Sequence, residues 1–286
     1  MKNLIFFNNF HNGDIHYSRS FILDIMKKTN FNCFYNHLNS NLLLKDIPTL
    51  NYLPNKRYDN NIQIITNDNE IIINTWVGQN NAKYIKMSGK SCSIYTNYEL
   101  YKNVFDNLSI KMENLEYYIP KINWDLINKN NIDIFIKQTT GKKIIISNGS
   151  TFSGQAPPFL FDDIIKSLAN EFKEISFILT KKINLRSNNI YYTDDIINQN
   201  NSDLNEISYL SLFCDIIIGR ASGPFAFCHT QENLTDENKV FISFSNNDYD
   251  SNWYVSEKCK QVWSNNFSQN NIYNKIRNEI KNKIKI

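Results

Sequence analysis

Short apolar runs alternate with amphipathic stretches along the whole chain. The first run, residues 4–7, meets a polar loop, 8–14, at once. A helical pattern follows, with Phe21, Ile22, Ile25 and Met26 on one face and Lys27-Lys28 near its end. Residues 31–35, 62–65 and 71–76 read as strands, and 97–107 as a helix. Such alternation predicts βαβ units around a parallel sheet. Between 120 and 140 the chain turns polar and rich in Asn and Lys, then Gly141-Lys142-Lys143 leads into an apolar strand at 144–147. An inter-domain linker is expected just before that strand.

The second half repeats the pattern. A long loop (148–158) and an amphipathic helix (159–172) come first. Strands at 175–179 and 190–192, a helix at 204–213, strands at 216–218 and 240–244, and a basic helix at 272–286 complete it. The expectation is an α/β protein of two Rossmann-like domains, 1–135 and 136–286, facing a central cleft. Whether the last helix returns to pack on the first domain is left open. Ligands in such sheets bind outside the C-terminal strand ends.

Composition narrows the classes. The net charge is only +3 over 286 residues, and the basic residues are dispersed except for the 275–285 segment, so nucleic-acid binding has little support. Five cysteines without C-x-x-C spacing argue against a disulfide framework and against a zinc site. No basic-then-apolar leader opens the chain, and no run reaches membrane-spanning length, which points to a cytoplasmic protein with at most peripheral membrane association. Asparagine is abundant throughout and reads as a compositional bias.

Three segments could carry chemistry. In C-D-I-I-I-G-R-A-S-G-P-F-A-F (214–227) an apolar run stops at Gly219-Arg220, and a helix is expected to start after Ser222-Gly223-Pro224. Ser222 suits an N-cap, and Pro224 suits a first helical turn, where its missing N–H had no partner anyway. Free N–H groups at such a turn, with Arg220 beside them, favour an anion; an ordinary turn with a solvated Arg is the alternative. The loop 8–19 follows the first strand, with Gly13 permitting a tight turn and Asp14 near a helix start. Asp14 is either an N-cap or a general base. His11, His16 and Arg19 flank it, either as solvated first-turn residues or as contacts for an anionic or polyhydroxyl acceptor.

The third segment, S-N-G-S-T-F-S-G-Q-A-P-P (147–158), places Asn148, Gly149, Ser150 and Thr151 where the backbone could approach a phosphate. It lacks G-x-x-x-x-G-K-[ST], and no G-x-G-x-x-G occurs, which disfavours an ATP-type loop and a nicotinamide dinucleotide fold. Asp194, Asp195 and Glu206 are weaker candidates for ribose hydroxyls, against a solvated reading for each. Asp248-Tyr249-Asp250 has the letters of a metal-binding D-x-D but follows a late strand, and reads as a surface turn.

In this order the three segments resemble the heptosyltransferase-like glycosyltransferases of the two-Rossmann-domain GT-B fold. G-D-I-H-Y-S-R-S-F-I-L-D-I-M-K-K matches that family's first loop and helix, with Ser20 where Pro is usual. I-I-I-S-N-G-S-T-F-S-G-Q-A-P-P-F-L-F-D-D-I-I-K-S-L matches its mid-chain strand, loop and helix. F-C-D-I-I-I-G-R-A-S-G-P-F-A-F matches its late window, with Ala221 in place of an acidic residue and Ala226 in place of His; the family's mid-chain Lys has no counterpart. The resemblance implies inverting, metal-independent sugar transfer from a nucleotide-sugar donor to a glycan or glycolipid acceptor, with no cofactor and Asp14 as base. It implies a donor site from Asn148, Gly149, Ser150, Thr151, Arg220, Ser222, Gly223 and Pro224, with His11, His16 and Arg19 on the acceptor side. A nucleotide-sugar epimerase or hydrolase and a catalytically silent nucleotide-sugar-binding protein are the alternatives.

Overall fold

The computed structural model describes residues 2–9, 11–38, 42–54, 56–76, 86–87, 90–91, 93–151, 154, 156–185, 187–198, 203–220, 222–246 and 258–284. The described residues divide into two compact units, one up to Ile127 and one from Asn128 onward.

The first unit opens with β1 (Asn3–Asn8), then α1 (Asn12–Tyr17) and α2 (Arg19–Lys28), and β2 (Asn32–His37). The polar loop expected over 8–14 is helical from Asn12, and the helical pattern after it is a second helix, separated from the first at Ser18. Strands β3 (Asn51–Tyr52), β4 (Ile64–Thr66) and β5 (Glu70–Asn74) complete a sheet in the order β3-β2-β1-β5-β4. β3, β2, β1 and β5 run parallel, and β4 is antiparallel to β5, a departure from the wholly parallel expectation. A two-stranded ladder, β6 (Lys86–Met87) with β7 (Lys90–Ser91), and α3 (Ser93–Asn107) follow.

Phe21 of α2 is fully buried between the rings of Tyr101 and Tyr118, stacked at 4.3 and 4.1 Å. The buried Asp24 accepts hydrogen bonds from Tyr118 and from Lys28, both at 2.8 Å, and Lys28 also bonds Glu113, so α2 is tied to the 113–118 segment.

The second unit begins with α4 (Asn130–Gln138), a helix inside the stretch that composition marked as linker. Its parallel sheet comprises β8 (Lys143–Ser147), β9 (Ser176–Leu179), β10 (Ile190–Tyr192), β11 (Ile216–Arg220), β12 (Val240–Phe244) and β13 (Lys260–Ser264). The spatial order is β10-β9-β8-β11-β12-β13, every pair parallel, which is the doubly wound 3-2-1-4-5-6 order. Helices α5 (Asp162–Glu171), α6 (Thr193–Ile197), α7 (Leu204–Ser211), α8 (Gly223–Phe227), α9 (Gln231–Thr235) and α10 (Gln269–Ile284) connect and flank the strands.

β8, β9, β11 and β12 are buried at every position, as expected for strands covered on both faces. Ile144, Ile146, Ile216, Ile218 and Ile242 form one core with Ile165 and Leu168 of α5 and with Ile272, Ile276 and Ile280 of α10. The apolar stripe of α10 is thus spent inside the second unit. The end of α7 is closed by a distant residue: Lys239, almost fully buried, donates to the carbonyls of Ser211, Leu212 and Cys214 at 3.2, 2.6 and 2.7 Å. Those carbonyls have no partner within the helix, so the ammonium serves as its cap.

Candidate functional site

In a doubly wound sheet the strand order reverses beside its first strand, and a crevice opens there at the C-terminal ends. In the second unit this point lies between β8 and β11. β8 ends at Ser147 and β11 at Arg220, and both following loops begin at that crevice.

Arg220 is 4% exposed. Its guanidinium lies over the rings of Phe159 and Phe161, 4.6 and 5.4 Å from their centroids, and donates one hydrogen bond of 3.2 Å to the carbonyl of Asn148. Its Nε is buried with no acceptor, and among the described residues no carboxylate pairs with it. Burial pushes its pKa below the ordinary arginine value, because desolvation penalises the charged form. A buried cation without a counter-charge is costly, and an anion in the crevice would relieve that cost. The solvated-Arg alternative does not describe this side chain.

Ser222 occupies the N-cap position of α8 in extended conformation (φ −123°, ψ 162°) but makes no side-chain cap bond. Its hydroxyl meets Ser147 Oγ at 2.7 Å instead, which joins the ends of β8 and β11. Gly223 and Pro224 form the first turn of the short α8. Gly219 lets this helix approach the strand, since a Cβ there would stand 2.7–2.9 Å from the Phe225 side chain.

The loop after β8 is partly committed to its own structure. The Asn148 amide donates to the Lys181 carbonyl at 2.9 Å and accepts from the Lys181 N–H at 2.8 Å, so its side chain fastens the loop after β9. Gly149 faces open space, where a Cβ would meet nothing within 4 Å. Ser150 is exposed, whereas Thr151 gives its hydroxyl to the Ala156 carbonyl at 3.2 Å. Arg220, Asn148, Ser222 and Ser147 are therefore brought together.

Asp194 and Asp195 lie exposed in the first turn of α6, and Asp195 pairs with Lys182 at 2.6 Å. Glu206 corrects the solvated reading, because it is wholly buried in the first turn of α7. Ser153, Ala221 and Asp248-Tyr249-Asp250 fall outside the described residues. His229 is also in the interior, stacked on Phe241 at 4.7 Å, and burial holds its pKa down to about 3.

The first unit has its own polar edge at the ends of β1, β2 and β5. His11 caps α1 by position, and its backbone N–H donates to Asn8 Oδ1 at 2.7 Å. Asp14 is thus the third helical residue rather than the N-cap, and Gly13 lies in the helix rather than in a tight turn. Asp14 and His11 are half-buried, and the His11 ring stacks on Trp76 at 5.7 Å. His16 and Arg19 are not solvated: both are completely buried. Arg19 Nε donates to His16 Nδ1 at 3.0 Å, and the guanidinium pairs with Asp46 and bonds the Leu43 carbonyl. These two residues fasten the 42–50 segment to α2, and Arg19 already has its counter-charge.

Sequence reasoning missed His37 and Trp76 at this edge, and Phe159, Phe161 and Ser147 at the other. His37 is buried at the end of β2; desolvation, with a smaller contribution from His11, lowers its pKa to about 4. Three asparagines at the ends of adjacent strands hold one segment: Asn36 donates to the Leu53 carbonyl, Asn9 (just past β1) to the Tyr58 carbonyl and Asn60 Oδ1, and Asn74 to the Asn60 carbonyl, at 2.6–2.9 Å. Here asparagine does structural work that a compositional bias does not describe. Among the described residues no cluster of three His, Cys, Asp or Glu could hold a metal ion, and no helix is long and apolar enough to cross a membrane.

No protein-family model matches the chain, and neither does any curated protein sequence. Solved structures do match its fold. A glycosyl transferase family 9 protein from Veillonella parvula DSM 2008 aligns over 96% of this chain and 89% of its own, with TM-score 0.53 and 12% identity. The E. coli heptosyltransferase WaaC with ADP-2-deoxy-2-fluoro heptose aligns over 97% and 99%, with TM-score 0.55 and 7% identity. The same enzyme with ADP gives TM-score 0.52 at 8% identity, over 99% and 100%. The chain therefore has the α/β fold of the GT-B heptosyltransferases, the architecture its three sequence windows resemble.

Proposed function

We propose that this chain is an inverting, metal-independent GT-B glycosyltransferase of the cytoplasm. It would transfer a sugar from a nucleotide-sugar donor to a hydroxyl of a glycan or glycolipid. The observation that carries the reading is Arg220, a buried guanidinium with no described counter-charge at the switch point of the second sheet. The likeness to a heptosyltransferase solved with an ADP-sugar analogue supports it.

In this reading residues 136–286 hold the donor. Arg220, the backbone around Gly149 and Ser150, and the Ser222-Gly223-Pro224 turn receive the diphosphate. Residues 1–135 hold the acceptor, with His11 at the edge and His16 and Arg19 supporting from within. Asp14 takes the proton of the acceptor hydroxyl as its oxygen attacks the anomeric carbon. The bond from that carbon to the diphosphate oxygen breaks, and Arg220 meets the charge left on the leaving group.

Titration calorimetry with nucleoside diphosphates and the matching nucleosides tests the reading. Arg220→Ala should weaken diphosphate binding about tenfold or more, the scale of a charge-assisted hydrogen bond, and leave nucleoside binding unchanged. Equal loss for both would mean that Arg220 does not touch phosphate.

A further inference from the structure

The second unit carries a cavity away from the switch point. It has a volume of about 720 Å³ and lies along β10, the outermost strand, three strands from β11. Small-molecule sites fall at roughly 300–1,000 Å³. One wall is a single face of α4: Asn131, Ile134, Phe135 and Gln138 recur at the i, i+3, i+4, i+7 spacing. The other wall comes from β10 and the residues around it, with Tyr191 set edge-on to Phe135 at 5.0 Å.

We infer that this cavity binds a neutral oligosaccharide. Four carboxamides line it; that of Asn131 donates to the Ile197 carbonyl at 3.3 Å, whereas those of Gln138, Asn188 and Asn198 make no hydrogen bond to a described residue. A carboxamide offers a donor and an acceptor side by side, the pair that adjacent sugar hydroxyls require. Phe135, Tyr191 and the 53%-exposed Ile134 supply apolar surface for the C–H faces of sugar rings. Among the described residues the lining holds no cation for an anionic ligand. Its one carboxylate, Asp195, already pairs with Lys182 at 2.6 Å. Aromatic edges, unspent amides and neutrality together select a polyhydroxyl ligand without charge. The inference stands apart from the glycosyltransferase reading, since a protein that transfers nothing could still hold a glycan here.

The test is saturation-transfer NMR of the full chain with neutral gluco-, galacto-, manno- and N-acetylhexosamine oligosaccharides. A charged oligosaccharide and an unstructured peptide serve as comparison probes. Transfer to at least one neutral oligosaccharide is expected. Its Kd should rise about tenfold in Gln138→Ala/Asn188→Ala, which removes two hydrogen-bonding groups from exposed positions. Phe135→Leu, which keeps bulk and loses the ring, should also weaken binding, with an unchanged thermal midpoint as evidence of an intact fold. The inference is overturned if no neutral oligosaccharide binds, if only the charged probe or the peptide does, or if affinity is the same in both variants.

Discussion

Ser147 and Ser222 place their hydroxyls 2.7 Å apart, and this contact joins the ends of two neighbouring parallel strands. Ser222 holds the N-cap position of α8 yet gives that helix no cap bond. Ser147→Ala should therefore release Ser222 to cap α8, so that the lost hydrogen bond is largely replaced. Urea unfolding should show a destabilisation of about 1 kcal/mol or less. A loss several times larger would mean that the hydroxyl pair, rather than the strand ladder, holds the crevice.

Gly219 is the more sensitive position. A methyl group there meets Phe225 at Cβ and Cγ, in a fully buried contact. Gly219→Ala should cost about 1–3 kcal/mol, the range for overpacking a filled core. Gly149→Ala, in open space, should unfold like the parent. The two melting curves side by side check the contrast, which fails if the variants are equally stable.

Asp14→Asn separates base from structural residue. The substitution keeps shape and polarity and removes proton-accepting capacity. Because Asp14 is third in α1 and not its cap, the fold should barely respond. The kcat for sugar transfer should drop on the order of 10²-fold or more, with donor affinity retained. Transfer at a near-normal rate in the Asn variant would leave the base unassigned.

The buried histidines predict acid lability in a mild range. Burial lowers His37 to about 4 and His229 to about 3, from an ordinary value of 6.5. Both favour the neutral ring in the fold, so their contribution is complete above pH 6.5. As pH falls, the unfolded chain takes up protons first, and stability declines until the folded values are passed. The urea midpoint should drop between pH 7 and pH 4, and less steeply in His37→Asn. A flat midpoint across that interval would contradict the shifts.

The second sheet was legible because strands buried on both faces leave continuous apolar runs such as Ile144–146 and Ile216–218. β13, Lys-Gln-Val-Trp-Ser at the sheet edge, leaves no such run and was missed. α4 was missed because only Ile132 is buried along it, and its polar residues read as linker. At the site, Arg220 and Ser222 stood out from the strand-turn-helix pattern alone. The Phe159–Phe161 cage did not, since only the fold brings those rings to the guanidinium. Arg19 was misread for the same reason: Asp46, its counter-charge, lies 27 residues along the chain.

The asparagines at positions 36, 9 and 74 have a consequence for how this protein tolerates its surroundings. They hold the segment carrying Leu53, Tyr58 and Asn60 through amides that bear no charge to titrate and none to screen. The 113–118 segment is held partly by charge, through the Lys28–Glu113 pair at 2.7 Å, and Glu113 is nearly half exposed. Dissolved ions weaken attraction between exposed charges and leave neutral hydrogen bonds nearly untouched. The amide ties of the first segment are thus indifferent to ionic strength, while the Lys28–Glu113 tie of the second weakens as the medium grows saltier.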